Sequence, residues 1–229
     1  MYRIMLLNAK GGCGKTTIAT GLASYFAGRD CRTALMDFDP HRPSLHWLET
    51  REAALPTIQA IDAGQRMTGV TRCWQLHTQS DTEIVVVDTP AAVSGNQLID
   101  LIPRADVILV PVLPSGPDIR VTKAFLEELL VMGKAKRLNK PIGVIINRAA
   151  EGLKSTHAFE HFLYEHNIPV VTRLRDSANY VHALENGAGI LEYDNKQTTK
   201  DQNQWWPLTQ WLHEQMGETA PAMESMLAS

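Results

Sequence analysis

The chain has 229 residues, is 44% hydrophobic and carries a formal net charge of −3. That is enough apolar content for one large core, and it excludes nucleic-acid binding by global charge, so any such contact must come from a local basic patch. Cys13, Cys31 and Cys73 are scattered without a C-x-x-C pair or metal-ligand spacing, Met1 to Leu7 is too short for a signal peptide, and no run approaches the ~18 apolar residues of a membrane span; together these predict a reduced, cytoplasmic protein.

Arg3–Leu7 reads as a first strand and Thr16–Ala27 as an alanine-rich helix. Between them lies Asn8-Ala9-Lys10-Gly11-Gly12-Cys13-Gly14-Lys15-Thr16-Thr17. A strand, a glycine-rich turn and a helix start make the setting of a phosphate-binding loop. Its backbone N–H groups and helix N-terminus face phosphate oxygens, and glycines at 11, 12 and 14 let the backbone come close. Lys15 supplies a cation for the β- and γ-phosphates, and Thr16 a hydroxyl for Mg²⁺. The spacing departs from Gly-x4-Gly-Lys-Thr, because Ala9 stands where the first glycine belongs, and a second lysine, Lys10, precedes Gly11.

Thr33–Met36 reads as the second strand and ends in Asp37-Phe38-Asp39-Pro40. Two carboxylates one residue apart at a strand end can both reach a metal–phosphate centre; a solvated turn broken by Pro40 is the other reading. A helix over Leu45–Ala54 and an edge strand over Thr57–Ile61 follow. Ile84–Val87 closes on Asp88-Thr89-Pro90, an apolar run ending in a carboxylate suited to Mg²⁺, and residues 89–92 form a candidate switch segment. Next come a helix at Asn96–Ile102, a strand at Val107–Val112, a helix at Ile119–Arg137 and a strand at Ile142–Ile146 that ends in Asn147-Arg148. There an Asn amide could pair with an adenine edge and Arg stack on the base, or the pair could form a plain turn. Thr156–Glu165, Tyr180–Glu185 and Asp201–Met216 read as helices, Pro169–Val171 as a short strand. The three tryptophans 205, 206 and 211 are expected to dock on the sheet. Alternation of strand and helix predicts an α/β fold, a single-domain P-loop NTPase with a mostly parallel sheet flanked by helices on both faces, over residues 1–216, with 217–229 a flexible tail.

Lys10 to Thr17 matches the deviant signature K-G-G-x-G-K-T-[ST]. With Asp37-x-Asp39-Pro40, Asp88-x-Pro90 and Asn147-Arg148 in order, the chain resembles the ParA/MinD family of dimerising, positioning ATPases from Met1 to about Met216. The resemblance implies an ATP-sandwich homodimer that uses ATP and Mg²⁺. Lys10 would reach the partner subunit's nucleotide. Gly11, Gly12, Cys13, Gly14, Lys15, Thr16 and Thr17 would hold phosphates and metal, and Asn147 and Arg148 the base. Asp39 would position the hydrolytic water, and Thr16, Asp39 and Asp88 would serve the metal, which makes Lys10, Lys15 and Asp39 the catalytic set. His41 stands where the family often has Gln, a departure in the second motif.

The chain is similar to the small, free-standing branch without an N-terminal helix-turn-helix, among which carboxysome-positioning (McdA-like) ATPases are a specific candidate. That implies association with the nucleoid through non-specific DNA, and a cargo-bound adaptor that stimulates hydrolysis. Candidate DNA contacts are Lys134, Lys136, Arg137, Lys140, Arg148, Lys154, Arg173, Arg175, Lys196 and Lys200. Residues 217–229 contain no Lys or Arg, so a membrane-binding C-terminal helix is not expected. The rival readings are a metabolic, amidoligase-like P-loop synthetase, which would not need Lys10, and a MinD-like membrane-associated cell-division regulator.

Overall fold

The computed structural model describes residues 1–64, 78–132, 134–150, 157–193 and 196–219. Its strands are β1 (Tyr2–Leu6), β2 (Thr33–Asp37), β3 (Ile58–Asp62), β4 (Ile84–Asp88), β5 (Val107–Val112), β6 (Ile142–Ala149) and β7 (Val170–Arg175). They form one seven-stranded parallel sheet in the order β3-β2-β4-β1-β5-β6-β7. The inner strands are near-continuous Val, Ile, Leu and Met because helices bury both of their faces.

The helices are α1 (Lys15–Ala27), α2 (Pro43–Glu49), α3 (Asn96–Leu101), α4 (Gly116–Val131), α5 (His157–Glu165), α6 (Ala178–Glu185), α7 (Thr199–Asn203) and α8 (Trp206–Met216). Successive strand residues point to opposite faces, which divides the core in two. Met5, Val85, Val87, Ile108 and Val110 pack with Leu98 of α3, Phe125 and Leu129 of α4 and Phe162 of α5. Ile4, Leu6, Ile84, Val86 and Leu109 pack with Ile18 and Leu22 of α1, Trp47 of α2 and Leu208 and Leu212 of α8.

Several boundaries differ from expectation, each for a local reason. β6 runs to Ala149 rather than ending at Ile146, with Arg148 at φ 51° where its register with β7 shifts, so Asn147-Arg148 forms a bulge inside the strand. The helix expected over 45–54 starts at Pro43, whose missing N–H costs nothing in a first turn, and stops at Glu49. The helix expected over 119–137 starts at Gly116 behind the Ser115 cap, whose Oγ accepts from Asp118 N, and ends at Val131. Beyond it, Lys134 lies in the left-handed region at φ 57°.

The long C-terminal helix is instead two, because Pro207 cannot donate inside a continuous helix and sits in the first turn of α8. Trp205, at that break, is fully buried and donates its indole N–H to Tyr180 Oη at 3.1 Å. It packs so closely on α1 that a Cβ on Gly21 would lie 2.4 Å from its ring. Trp211 packs in the same way on Gly143 of β6, so these two rings dock onto a helix and the sheet.

The strand ends define the site. Leu6 pairs in register with Asp88, and Asp88 with Asp37, so the segments after β1, β4 and β2 leave the same carboxyl edge side by side.

Candidate nucleotide site

The segment after β1 is held by Asn8, a buried residue not singled out from the sequence. Its Nδ2 donates to Pro111 O at 2.7 Å and to Thr122 Oγ1 at 3.0 Å, and its Oδ1 accepts from Lys10 N at 3.0 Å. The chain then turns through Gly12 at φ 73° and Gly14 at φ 98°, left-handed values that favour glycine. A Cβ on Gly14 would also lie 2.1 Å from Asn147 Nδ2. The N–H groups of Gly11 to Gly14 donate to no described residue, and those of Lys15, Thr16 and Thr17 open α1, where no intrahelical acceptor exists. No acidic side chain lies in that first turn. A concave row of donors at a helix N-terminus fits the phosphates of a nucleotide.

The two lysines of the loop face opposite ways. Lys15 is buried, and its Nζ curls inside the loop to donate to Asn8 O at 3.2 Å and Lys10 O at 3.3 Å. The Lys10 side chain is 44% exposed and points outward, its Nζ 3.4 Å from Asp118 Oδ1 in the first turn of α4. The Ser115 hydroxyl, with help from Lys10, holds the Asp118 carboxyl below its ordinary range. Cys13 is buried, its Sγ donates to Lys10 O at 3.2 Å, and burial pushes its thiol up.

Thr16 Oγ1 donates to Asp88 Oδ2 at 2.8 Å. The other carboxylate oxygen, Oδ1, is buried without a hydrogen-bond partner. Burial first, and the Asp37 charge second, push the Asp88 carboxyl up to about 7. An orphaned buried oxygen beside a threonine hydroxyl fits a divalent cation, whose charge would favour the ionised form. Among the described residues, no group of three or more His, Cys, Asp or Glu is placed to hold a metal alone. That suits Mg²⁺, which takes one or two protein oxygens together with phosphates and water.

The two carboxylates after β2 do not both face this centre. Asp37 is buried and structural: its Oδ2 accepts from Ser44 Oγ at 2.6 Å and Ser44 N at 2.9 Å, and its Oδ1 from Asp39 N at 2.8 Å. It serves the N-terminus of α2, where Arg42 at the cap position offers no side-chain acceptor. Burial raises its carboxyl pKa. Asp39 remains half-buried, with Oδ1 accepting from His41 N at 2.9 Å, and its charge also acts on Asp88.

Residues 89–92 lie against the loop. Thr89 Oγ1 donates to Leu6 O at 2.6 Å, Ala92 N donates to Ala9 O at 2.9 Å, and Gly95 N donates to Glu128 Oε1 of α4 at 2.7 Å. Asn147 is brought to the loop too. Nδ2 donates to Cys13 O at 2.9 Å and Oδ1 accepts from Arg148 N at 3.0 Å, so it braces the loop with one of its two N–H groups. Arg148 is exposed. Asp118 escaped sequence reading although Ser115-x-x-Asp118 is the pattern of a capped helix start, which could have marked it.

The basic candidates also separate. Arg173 pairs with Glu160 at 2.7 Å, Arg175 pairs with the buried Asp201, and Lys140 Nζ donates to Ala105 O at 2.5 Å. Lys134, Lys136, Arg137, Lys196 and Lys200 are exposed, and Lys154 lies outside the described residues.

The sequence profile of the CobQ/CobB/MinD/ParA nucleotide binding domain matches residues 4–190. The chain is 26% identical over 200 residues to maintenance of carboxysome distribution protein A of Halothiobacillus neapolitanus, covering 83% of this chain and 87% of that one. To the protein of the same name from Gloeobacter kilaueensis it is 34% identical over 118 residues, 52% of each chain. Its fold is similar to that of the ATP complex of Cyanothece McdA, with TM-score 0.69 and 18% identity over 97% of this chain and 98% of that one. Against the MinD cell division protein of Aquifex aeolicus the TM-score is 0.68, with 17% identity over 96% and 99% of the two chains.

Proposed function

The chain belongs to the CobQ/CobB/MinD/ParA nucleotide-binding domain family, and within it we propose a cytoplasmic Mg²⁺·ATP-dependent ATPase that dimerises on ATP, binds nucleoid DNA without sequence preference and positions an intracellular cargo. The relatives named for carboxysome distribution favour a carboxysome as that cargo. A cargo-bound adaptor would stimulate hydrolysis and release the dimer from DNA.

The observation that carries this reading is the opposed pair of lysines. Lys15 is turned into its own loop, while Lys10 is exposed at the rim, where a second subunit's nucleotide can reach it. Lys15 already supplies a cation to its own loop, which leaves Lys10, held outward beside Asp118, for a second subunit. In this assignment Gly11 to Gly14 and Thr17 give backbone donors to the phosphates, Lys15 neutralises them, and Thr16 and Asp88 hold the metal. Mg²⁺ supplies charge neutralisation at the transferring phosphoryl group. Asp39, half-buried beside Asp88, is left to orient the attacking water; Asp37 is committed to α2. Asn147 fixes the Cys13 carbonyl and so the loop's shape, and Arg148 is exposed at the same edge for the base.

Light scattering on the purified chain with ATP, ADP and no nucleotide tests the reading. ATP alone should give a dimer, and Lys10→Ala should remain a monomer that still binds nucleotide. An ATP-dependent dimer of normal affinity in Lys10→Ala refutes the assignment of Lys10. Asp39→Ala should hold the dimer on DNA without turnover. Binding to liposomes in place of DNA would favour the membrane-associated branch of the family.

A further inference from the structure

Residues 89–95 leave β4 and pass the nucleotide loop on the way to α3, and their path is fixed at both ends. Thr89 Oγ1 donates to Leu6 O at 2.6 Å at one end, and Gly95 N donates to Glu128 Oε1 at 2.7 Å at the other. Between them Ala92 N donates to Ala9 O at 2.9 Å, and Val93 is fully buried in the core. Ala91 and Ala92 are exposed. Ala91 lies against the loop, since a Cβ built on Gly11 would come 3.6 Å from the Ala91 Cβ.

Two backbone conformations in this segment do not hold themselves. Ala92 sits at φ 61°, a left-handed value that a residue with a Cβ adopts at a cost. Gly95 sits at φ 54° and ψ −124°, where its missing Cβ is needed. Such conformations persist only where the surroundings over-determine them. Here the far end is held by a side chain of another element. α4 packs Phe125, Leu126 and Leu129 into the core, and its buried Thr122 accepts from Asn8 Nδ2 at 3.0 Å. One buried helix therefore carries the acceptor for the start of the nucleotide loop and, farther along, the acceptor for the end of segment 89–95. Loop and segment are referred to a common frame.

We propose that Glu128 is a positioning residue for ATP hydrolysis. It holds Gly95, and through it the exposed Ala91–Ala92 backbone, against the loop where the transferring phosphoryl group is bound. This rests on the ATPase reading above. A carboxylate that accepts from a backbone N–H makes a charge-assisted bond, stronger than a neutral pair. Glu128 acts through the segment it holds and touches no reacting atom. ADP lacks the phosphoryl group that this segment faces, so ADP binding does not depend on Glu128.

Phosphate release at saturating Mg²⁺·ATP, with ADP affinity by calorimetry and Tm by thermal unfolding on the same proteins, tests this. Glu128→Ala should lower kcat about ten- to a hundredfold and leave the ADP affinity within about twofold of native. Glu128→Gln keeps an acceptor oxygen at the same reach and should hold kcat within about fivefold of native. A lower Tm, or ATP and ADP affinities falling together, at unchanged kcat would be the mark of a purely structural residue and overturns the proposal. An equal fall in kcat for Glu128→Gln and Glu128→Ala overturns the hydrogen bond to Gly95 as the means. Native kcat in Glu128→Ala overturns the role of Glu128 while the ATPase reading stands. A native chain that binds Mg²⁺·ATP and releases no phosphate overturns both.

Discussion

Asp88 makes the stability of the nucleotide-free chain fall with rising pH. Its carboxyl is pushed from the ordinary 3.8 up to about 7, by burial first and by the Asp37 charge second. Between those values the folded chain keeps a proton that the unfolded chain has released. The contribution of Asp88 to stability is therefore greatest below about pH 4, declines through the window and levels off above about pH 7. At most about 1.4 kcal/mol per pH unit, falling off as the folded group titrates, gives about 2.5 kcal/mol between pH 5 and 8, or about 5–10 °C in Tm for a chain of this length. Thermal unfolding in EDTA without nucleotide, compared between the native chain and Asp88→Asn, isolates this one group because all other acids are common to both. The Tm of the native chain should drop relative to the variant by about that amount from pH 5 to 8. Adding Mg²⁺·ATP should then raise the Tm of the native chain above pH 7 by more than it raises that of the variant. Parallel pH curves for the two proteins would refute the placement of Asp88 as a buried carboxylate awaiting a cation.

Three further outcomes follow from local geometry. Gly14→Ala combines a left-handed φ of 98° with a Cβ 2.1 Å from Asn147 Nδ2; it should cost about 2 kcal/mol or more in denaturant unfolding and abolish ATP binding by calorimetry. Asp118→Asn frees Lys10 from a surface ion pair, so the ATP-dependent dimer should tighten by no more than about fivefold in sedimentation equilibrium, and a weaker dimer would show that Asp118 aims Lys10 instead of holding it back. Asp37→Ala removes the acceptor for Ser44 and Asp39 at the start of α2; it should destabilise the fold by about 3 kcal/mol in urea, whereas Asp39→Ala should leave stability within about 0.5 kcal/mol of native.

The contrast between those two aspartates shows how far the sequence could be read. The inner strands were legible because a parallel strand covered on both faces must be an unbroken apolar run, and its first polar residue marks the sheet edge. Asp37, Asp88 and Asn147 all stand out in that way, and all three lie at the site. What each does there was not legible, since it depends on which way the chain leaves the edge. After β2 it turns at once into α2, whose cap residue Arg42 cannot accept from the first helical N–H groups. Those donors need a partner, and the nearer carboxylate is Asp37. Asp37 has taken the structural task, and the carboxylate of its neighbour Asp39 stays half-buried beside it, accepting from His41 N.

Asn147 carries the same lesson from the other direction. Its sequence position promises a free amide at a strand end, but a missing Cβ on Gly14 opens the space into which that amide folds, 2.9 Å from Cys13 O. A glycine in a phosphate loop is usually credited to its own dihedral freedom. Gly14 serves twice, by its φ and by the room it leaves, so the loop's curvature is fixed from β6 as well as from α1. Asn147→Ala should therefore loosen nucleotide binding for every base alike, with ATP and GTP affinities falling together. A loss confined to ATP would return Asn147 to reading the adenine edge.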